Sequence, residues 1–190
     1  MVVHVPRPAH RPSQRDAILD AVLADLRTEG GLPLSLDSAA RAAGVTKAGV
    51  MYHYGTKEAL VSALVDRVMD GQERRLEALL DGDLATATIR ARLAAYVRWA
   101  LSAQHDVVEL IMLSDPRLWD RMAERWSERL TPWLAVPDGT PAAERSRLQA
   151  VRLLADGVWF ADASGFLPVP ASDRRALLDT ALHLLDGGDA

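Results

Sequence analysis

Residues 35 to 60 constrain the fold most, because they start and stop helices in quick succession. Ser35 is a helix-capping residue, Ala39, Ala40, Ala42 and Ala43 run straight into Gly44, and Thr46 can cap again two residues later. A hydroxyl oxygen at such a position accepts from an early amide that has no partner inside its helix. Gly55 then breaks the segment that begins at Lys47, and Thr56 caps a fourth helix from about Lys57. Two short helices joined by a tight glycine-containing turn cannot lie antiparallel, and alanines at the crossing let them approach closely at a steep angle. The spacing therefore predicts a helix-turn-helix unit.

The flanking segments complete that unit. Ser13 and Asp16 form a capping pair for a first helix near Gln14, with the acid placed at the positive helix end. Ile18, Leu19, Val22, Leu23 and Leu26 recur on one face of it, and Gly30-Gly31 supplies the stop. Before it, Pro6, Pro8 and Pro12 with His4, Arg7, His10 and Arg11 predict a flexible basic arm over residues 1–12. The fourth helix places Leu60, Leu64, Val65 and Val68 on its buried side.

The run from Ala39-Ala40-Arg41-Ala42-Ala43-Gly44-Val45-Thr46-Lys47-Ala48-Gly49-Val50-Met51-Tyr52-His53-Tyr54-Gly55-Thr56-Lys57-Glu58-Ala59-Leu60 resembles the DNA-binding signature of TetR-family transcriptional repressors. The turn, the aromatic end of the third helix and the following Thr-Lys-Glu-Ala-Leu fall in register, and the likeness spans about residues 14 to 65. It implies a DNA-binding domain over 13–58 and, over 59–190, a helical bundle for effector binding and dimerisation. Two positions depart from the family pattern. Met51 stands where relatives often carry a phosphate-contacting Tyr, and Asp37 where many carry a basic or neutral residue.

Beyond residue 84 the apolar spacing also reads as all-α. Leu93, Val97, Trp99, Ala100 and Leu101 share one helical segment, and Val107 to Leu113 form a short apolar one closed by Asp115-Pro116. Leu118, Trp119, Met122, Trp126, Leu130 and Trp133 repeat at helical intervals until Pro137, Gly139 and Pro141. Residues 142–165 carry a broad apolar face and are expected to end at Pro168 and Pro170; Ser172 is expected to cap a last helix reaching 186. Both final helices have apolar faces wider than one internal contact needs, which predicts a two-fold homodimer. Alternating strand patterns are absent.

Net charge is -4, but it divides as +1 over residues 1–58 and -5 over the rest. Both lysines of the chain, Lys47 and Lys57, fall in the helix-turn-helix segment. Thr46, Tyr52, His53 and Lys57 are candidates for phosphate contact, and Lys47, beside the small Ala48 and Gly49, is the side chain suited to donate to a guanine edge in the major groove. Double-stranded DNA bearing an inverted repeat is the partner this pattern predicts.

Trp99, Trp119, Trp126 and Trp159, with Met112 and Met122, are candidates for lining an effector pocket, although core burial alone accounts for such spacing. His105, Asp106 and Glu109 share a helix face, but no second cluster completes a metal site, and neither metal nor cofactor is expected. In Asp156-Gly157 the glycine is expected to admit a neighbouring helix, and the aspartate to need a partner.

Cysteine is absent, as are a phosphate-binding glycine loop after a strand and a nucleophile elbow, and the five histidines are scattered. No catalytic residues are expected. No apolar run approaches the about 18 residues of a membrane span, so a cytoplasmic protein is expected. The reading is a ligand-responsive repressor; a DNA-binding regulator without an effector and an all-helical enzyme are the alternatives.

Overall fold

A computed structural model describes residues 13–28, 34–102, 105, 108 and 119–187. The described elements are helices: α1 (Gln14–Thr28), α2 (Leu36–Ala42), α3 (Lys47–Tyr54), α4 (Lys57–Leu79), α5 (Ile89–Ala100), α6 (Trp119–Leu134), α7 (Ala142–Ser164) and α8 (Arg174–Asp186). The fold class is all-α, with no strand among the described residues. The predicted arm over 1–12 and the Gly30-Gly31 stop lie outside the described residues. So does the apolar segment 107–113, apart from Val108, which is helical and buried.

The described chain separates into two compact units, one ending at Leu60 and the other beginning at Val61, so that α4 has residues in both. In the first unit the predicted caps form. Ser13 Oγ accepts from the Asp16 amide at 3.2 Å, and Ser35 Oγ from the Ser38 amide at 3.0 Å. Thr46 Oγ1 accepts from Gly49 at 3.0 Å and Thr56 Oγ1 from Ala59 at 3.1 Å. Each hydroxyl satisfies an amide that the helix leaves open, which is how helices this short hold their ends. Gly44, at φ 64°, takes the left-handed conformation that turns the chain from α2 to α3. Ile18, Leu19, Val22, Leu23 and Leu26 of α1 are buried, as are Ala39 and Ala40 of α2 and Val50 and Tyr54 of α3. α2 packs on α1 and on α3.

The second unit is organised around α5. Leu93, Ala95, Tyr96, Val97, Trp99 and Ala100 are all buried, so α5 is apolar over most of its circumference and packs on α6, α7 and α8 together. Leu148, Val151, Ala155 and Val158 of α7 and Ala181 and Leu185 of α8 join the same core. α6 reaches α4 by charge: Arg125 grips Asp66 with Nε and Nη2 at 2.7 and 2.9 Å, and Arg129 binds Glu73 and Asp70. These bonds hold the Arg129 guanidinium well above its ordinary pKa, the Glu73 contact foremost.

α7 matches the predicted 142–165 to within one residue, although it is Gly165, left-handed at φ 68°, that ends it before either proline is reached. Two local expectations fail. Ser172 does not cap the last helix. Its hydroxyl donates instead to Asp173 Oδ1 at 2.8 Å, and α8 starts after Asp173, which makes no side-chain cap. Among the described residues no helix packs against Gly157, since a Cβ there would meet nothing within 4 Å.

Candidate functional site

The exposed surface of α3 presents the side chains singled out in the sequence. Thr46, Lys47, Ala48 and Tyr52 are exposed, Tyr52 at 85% of its area, while Gly49, His53 and Lys57 are half-buried. Tyr52 and His53 meet edge to face at 5.1 Å between ring centres. The hydroxyl of Thr46 already accepts from Gly49, so only its proton is left for an outside acceptor. Lys47 Nζ is also engaged: it donates to Asp37 Oδ2 at 2.9 Å, across the turn from α2. Tyr54, two residues beyond Tyr52, is structural. Its hydroxyl donates to the Arg15 carbonyl at 2.6 Å, the Arg15 guanidinium lies over its ring, and burial pushes its phenol pKa up.

The second unit contains a cavity of about 530 Å³, a size suited to a small organic molecule. Its walls are aromatic. Tyr96 and Trp99 of α5 stack at 5.3 Å between ring centres, Trp126 of α6 and Trp159 of α7 meet edge to face at 6.0 Å, and all four line the space. Leu130 and Leu134 continue the apolar lining along α6. Polar groups enter from three helices: Gln72 from α4, Ser127 and Thr131 from α6, Arg152 and Asp156 from α7. Asp156 has both oxygens occupied, accepting from the Tyr96 hydroxyl at 2.8 Å and from Arg152 Nε at 3.0 Å. The partner expected for this aspartate is therefore a tyrosine and an arginine together.

Of the six side chains predicted for the effector site, Trp99, Trp126 and Trp159 line this one cavity. Met112 lies outside the described residues, and Trp119 and Met122 belong to the start of α6, where side chains lie outside the description. Trp133 is core instead, at 1% exposure. Sequence reasoning missed Gln72, Tyr96 and Asp156 as lining groups. Gln72 did carry a signal, since it interrupts the buried register of Val65, Met69 and Leu76 on α4.

His105 sits behind the wall, edge to face with Trp99 at 4.7 Å, with Nε2 at 2.6 Å from the Ala100 carbonyl. Burial lowers its pKa, opposed by that carbonyl. Asp106 and Glu109, the other members of the predicted trio, lie outside the described residues, and no group of three metal-ligating side chains occurs among the described ones.

Comparison with known proteins agrees with both halves. Residues 82–186, more than half of the chain, match the family of tetracyclin repressor-like C-terminal domains. The HTH-type transcriptional regulator EthR of Mycobacterium tuberculosis is 25% identical over 164 residues, covering 80% of this chain and 75% of that protein. The HTH-type regulator BetI of Rhizobium meliloti is 28% identical over 107 residues, 56% of this chain and 51% of BetI. In three dimensions the transcriptional regulator FadR from Bacillus subtilis, solved in complex with stearoyl-CoA, superposes with a TM-score of 0.61 at 19% identity, covering 92% of this chain and 99% of FadR. With a capped helix-turn-helix at one end and the family's C-terminal domain at the other, the chain belongs to the TetR family and is a transcriptional regulator, not an enzyme.

Proposed function

We propose that this regulator binds an inverted repeat in double-stranded DNA as a homodimer, represses from that site in the cytoplasm, and is released by a small, mostly apolar effector. The observation that carries this reading is the aromatic cavity inside the family-matched unit of a chain that also bears an exposed helix-turn-helix. On the DNA side, Thr46, Tyr52, His53 and Lys57 contact phosphates. Lys47 reads a base edge, with Ala48 and Gly49 small enough to admit close approach. On the effector side, Trp99, Trp126 and Trp159 form the walls.

Dimerisation is supported by the outer faces of α7 and α8. Leu153 and Phe160 of α7 are 60% and 52% exposed, with Gly157 between them opening on empty space, and Leu177, Leu178, Leu182 and Leu184 of α8, although packed against the core, are buried only in part. A two-fold axis would let such faces cover each other. Sedimentation at micromolar concentration is expected to give a dimer; a monomer overturns that element.

Release follows from differential binding. An effector that prefers the DNA-incompetent state 100-fold supplies about 2.7 kcal/mol, and operator DNA must weaken effector binding by the same factor. Successive major grooves recur every ~34 Å, so a shift of a few ångströms in recognition-helix spacing loses contacts on both half-sites. The test is selection of duplexes from a random library, followed by salt titration. An inverted repeat with a steep salt slope is expected, and absence of any selected sequence overturns the reading. If ligands that quench tryptophan fluorescence leave operator affinity unchanged, the regulator works without this effector site.

A further inference from the structure

Asp37 and Lys47 form an ion pair on the surface of the helix-turn-helix, and its spacing matches the edge of a base pair. Lys47 Nζ donates to Asp37 Oδ2 at 2.9 Å, and the lysine and aspartate side chains keep 52% and 64% of their surface open, so both groups can be reached from outside. The pair joins the first turn of α2 to the first residue of α3, where Ala48 and Gly49 add little bulk. An ion pair this exposed contributes little to stability. What it does is hold a donor and an acceptor side by side. In the major groove each base pair likewise shows an amino donor beside a keto acceptor: N4 of cytosine beside O6 of guanine, or N6 of adenine beside O4 of thymine. Those two atoms are joined by an N–H···O bond of the base pair and lie about 2.9 Å apart.

Resting on the base contact proposed above for Lys47, we propose that Asp37 is a second specificity-determining residue and that the ion pair reads one base pair as a unit. Lys47 Nζ donates to the keto oxygen, and Asp37 Oδ2 accepts from the amino group. The four atoms then close a square whose every side is a hydrogen bond, with donors and acceptors alternating. Nζ gives one proton to Oδ2 and another to the keto oxygen, the amino group gives the proton that base pairing leaves over, and a carboxylate oxygen has lone pairs for both donors. Turning the base pair round sets ammonium against amino and carboxylate against keto oxygen, which breaks two sides of the square. The pair therefore senses the strand on which the keto base lies. Guanine is favoured over thymine there, because its N7 offers Lys47 a second acceptor where thymine presents a methyl group. Phosphates alone gain little from the pair, since the carboxylate offsets the ammonium.

Equilibrium binding of the full-length protein to four operator duplexes tests this, the duplexes differing only at the base pair whose preference Lys47→Ala alters. For wild type, the two tightest duplexes are expected to carry their keto bases, guanine and thymine, on the same strand, with the other two at least about tenfold weaker. Asp37→Ala is expected to narrow that gap about tenfold while binding random duplex at least as tightly as wild type, which also shows that it folds. A lysine reading N7 alone would instead rank guanine and adenine together, and that order overturns the proposal. So does an unchanged gap in Asp37→Ala, or equal weakening of all four duplexes. The wild-type ranking decides the matter even if the variant fails to fold. If Lys47→Ala alters no position of a selected operator, the lysine's base contact falls and this proposal with it; if wild type selects no operator, the DNA reading itself is lost as well.

Discussion

The two units place their proposed working groups on opposite sides of their own surfaces. In the first, Lys47 and Tyr52 stand outside a small core built from α1, α2 and α3, and none of the core residues belongs to the proposed DNA surface. In the second, Trp99 and Tyr96 are at once core and cavity wall. Function and stability are therefore separable in the first unit and fused in the second. A partner as large as DNA must be met from outside, whereas a small molecule is bound strongly only by enclosing it.

That difference gives graded expectations. Trp99→Ala has the largest effect: thermal or denaturant unfolding is expected to show a loss of about 3–5 kcal/mol together with loss of ligand binding, whereas Tyr52→Ala stays within about 0.5 kcal/mol of wild type while weakening DNA binding. Equal stability losses would erase the contrast. Next, Lys47→Ala is expected to cost about 1–3 kcal/mol on the operator and to relax its sequence preference. Lys57→Ala weakens all duplexes alike and lowers the salt slope by about one ion. Sequence-independent losses of the same size for both would remove the base contact.

A smaller effect tests the ion pair found across the turn. Asp37 occupies Lys47 at 2.9 Å, so Asp37→Asn frees the ammonium and is expected to tighten binding to random duplex several-fold, more than to operator. In a Lys47→Ala background the gain should shrink, which a double-mutant cycle reads directly.

The smallest effect belongs to His105. Its folded pKa lies below the ordinary value of about 6.5. The unfolded chain therefore takes up the proton first, and stability present above pH about 6.5 falls as pH drops towards the lowered folded value. To a smaller extent the Asp162 carboxylate raises the folded pKa, while the positive charges of Arg174 and Arg75 lower it further. The melting temperature of wild type should drop more steeply between pH 7.5 and 5.5 than that of His105→Gln; parallel curves would place the acid sensitivity elsewhere.

What could be read in the sequence follows the same division. The starts of α1 to α4 were legible because a cap is a contact between residues three apart, as at Ser35 and Ser38 or Thr46 and Gly49. The rule failed at Ser172, where a neighbouring carboxylate competes for the hydroxyl. The cavity was legible only through its large rings. Tyr96 and Asp156 meet across 60 positions of sequence, and no local spacing announces that pairing. Lys47 was legible as a polar side chain, but not its engagement by Asp37, which depends on the angle between α2 and α3.

The arginine grip between α4 and α6 carries one more consequence. Trp126, Leu130 and Leu134 give α6 a cavity face, while Arg125 and Arg129 of the same helix hold Asp66, Asp70 and Glu73 through long, partly exposed side chains. Packed apolar walls are indifferent to electrolyte, but a wall suspended from ion pairs is softened by it. An uncharged guest in this chamber should therefore feel the ionic strength of the medium through the stiffness of its container, with no charge of its own.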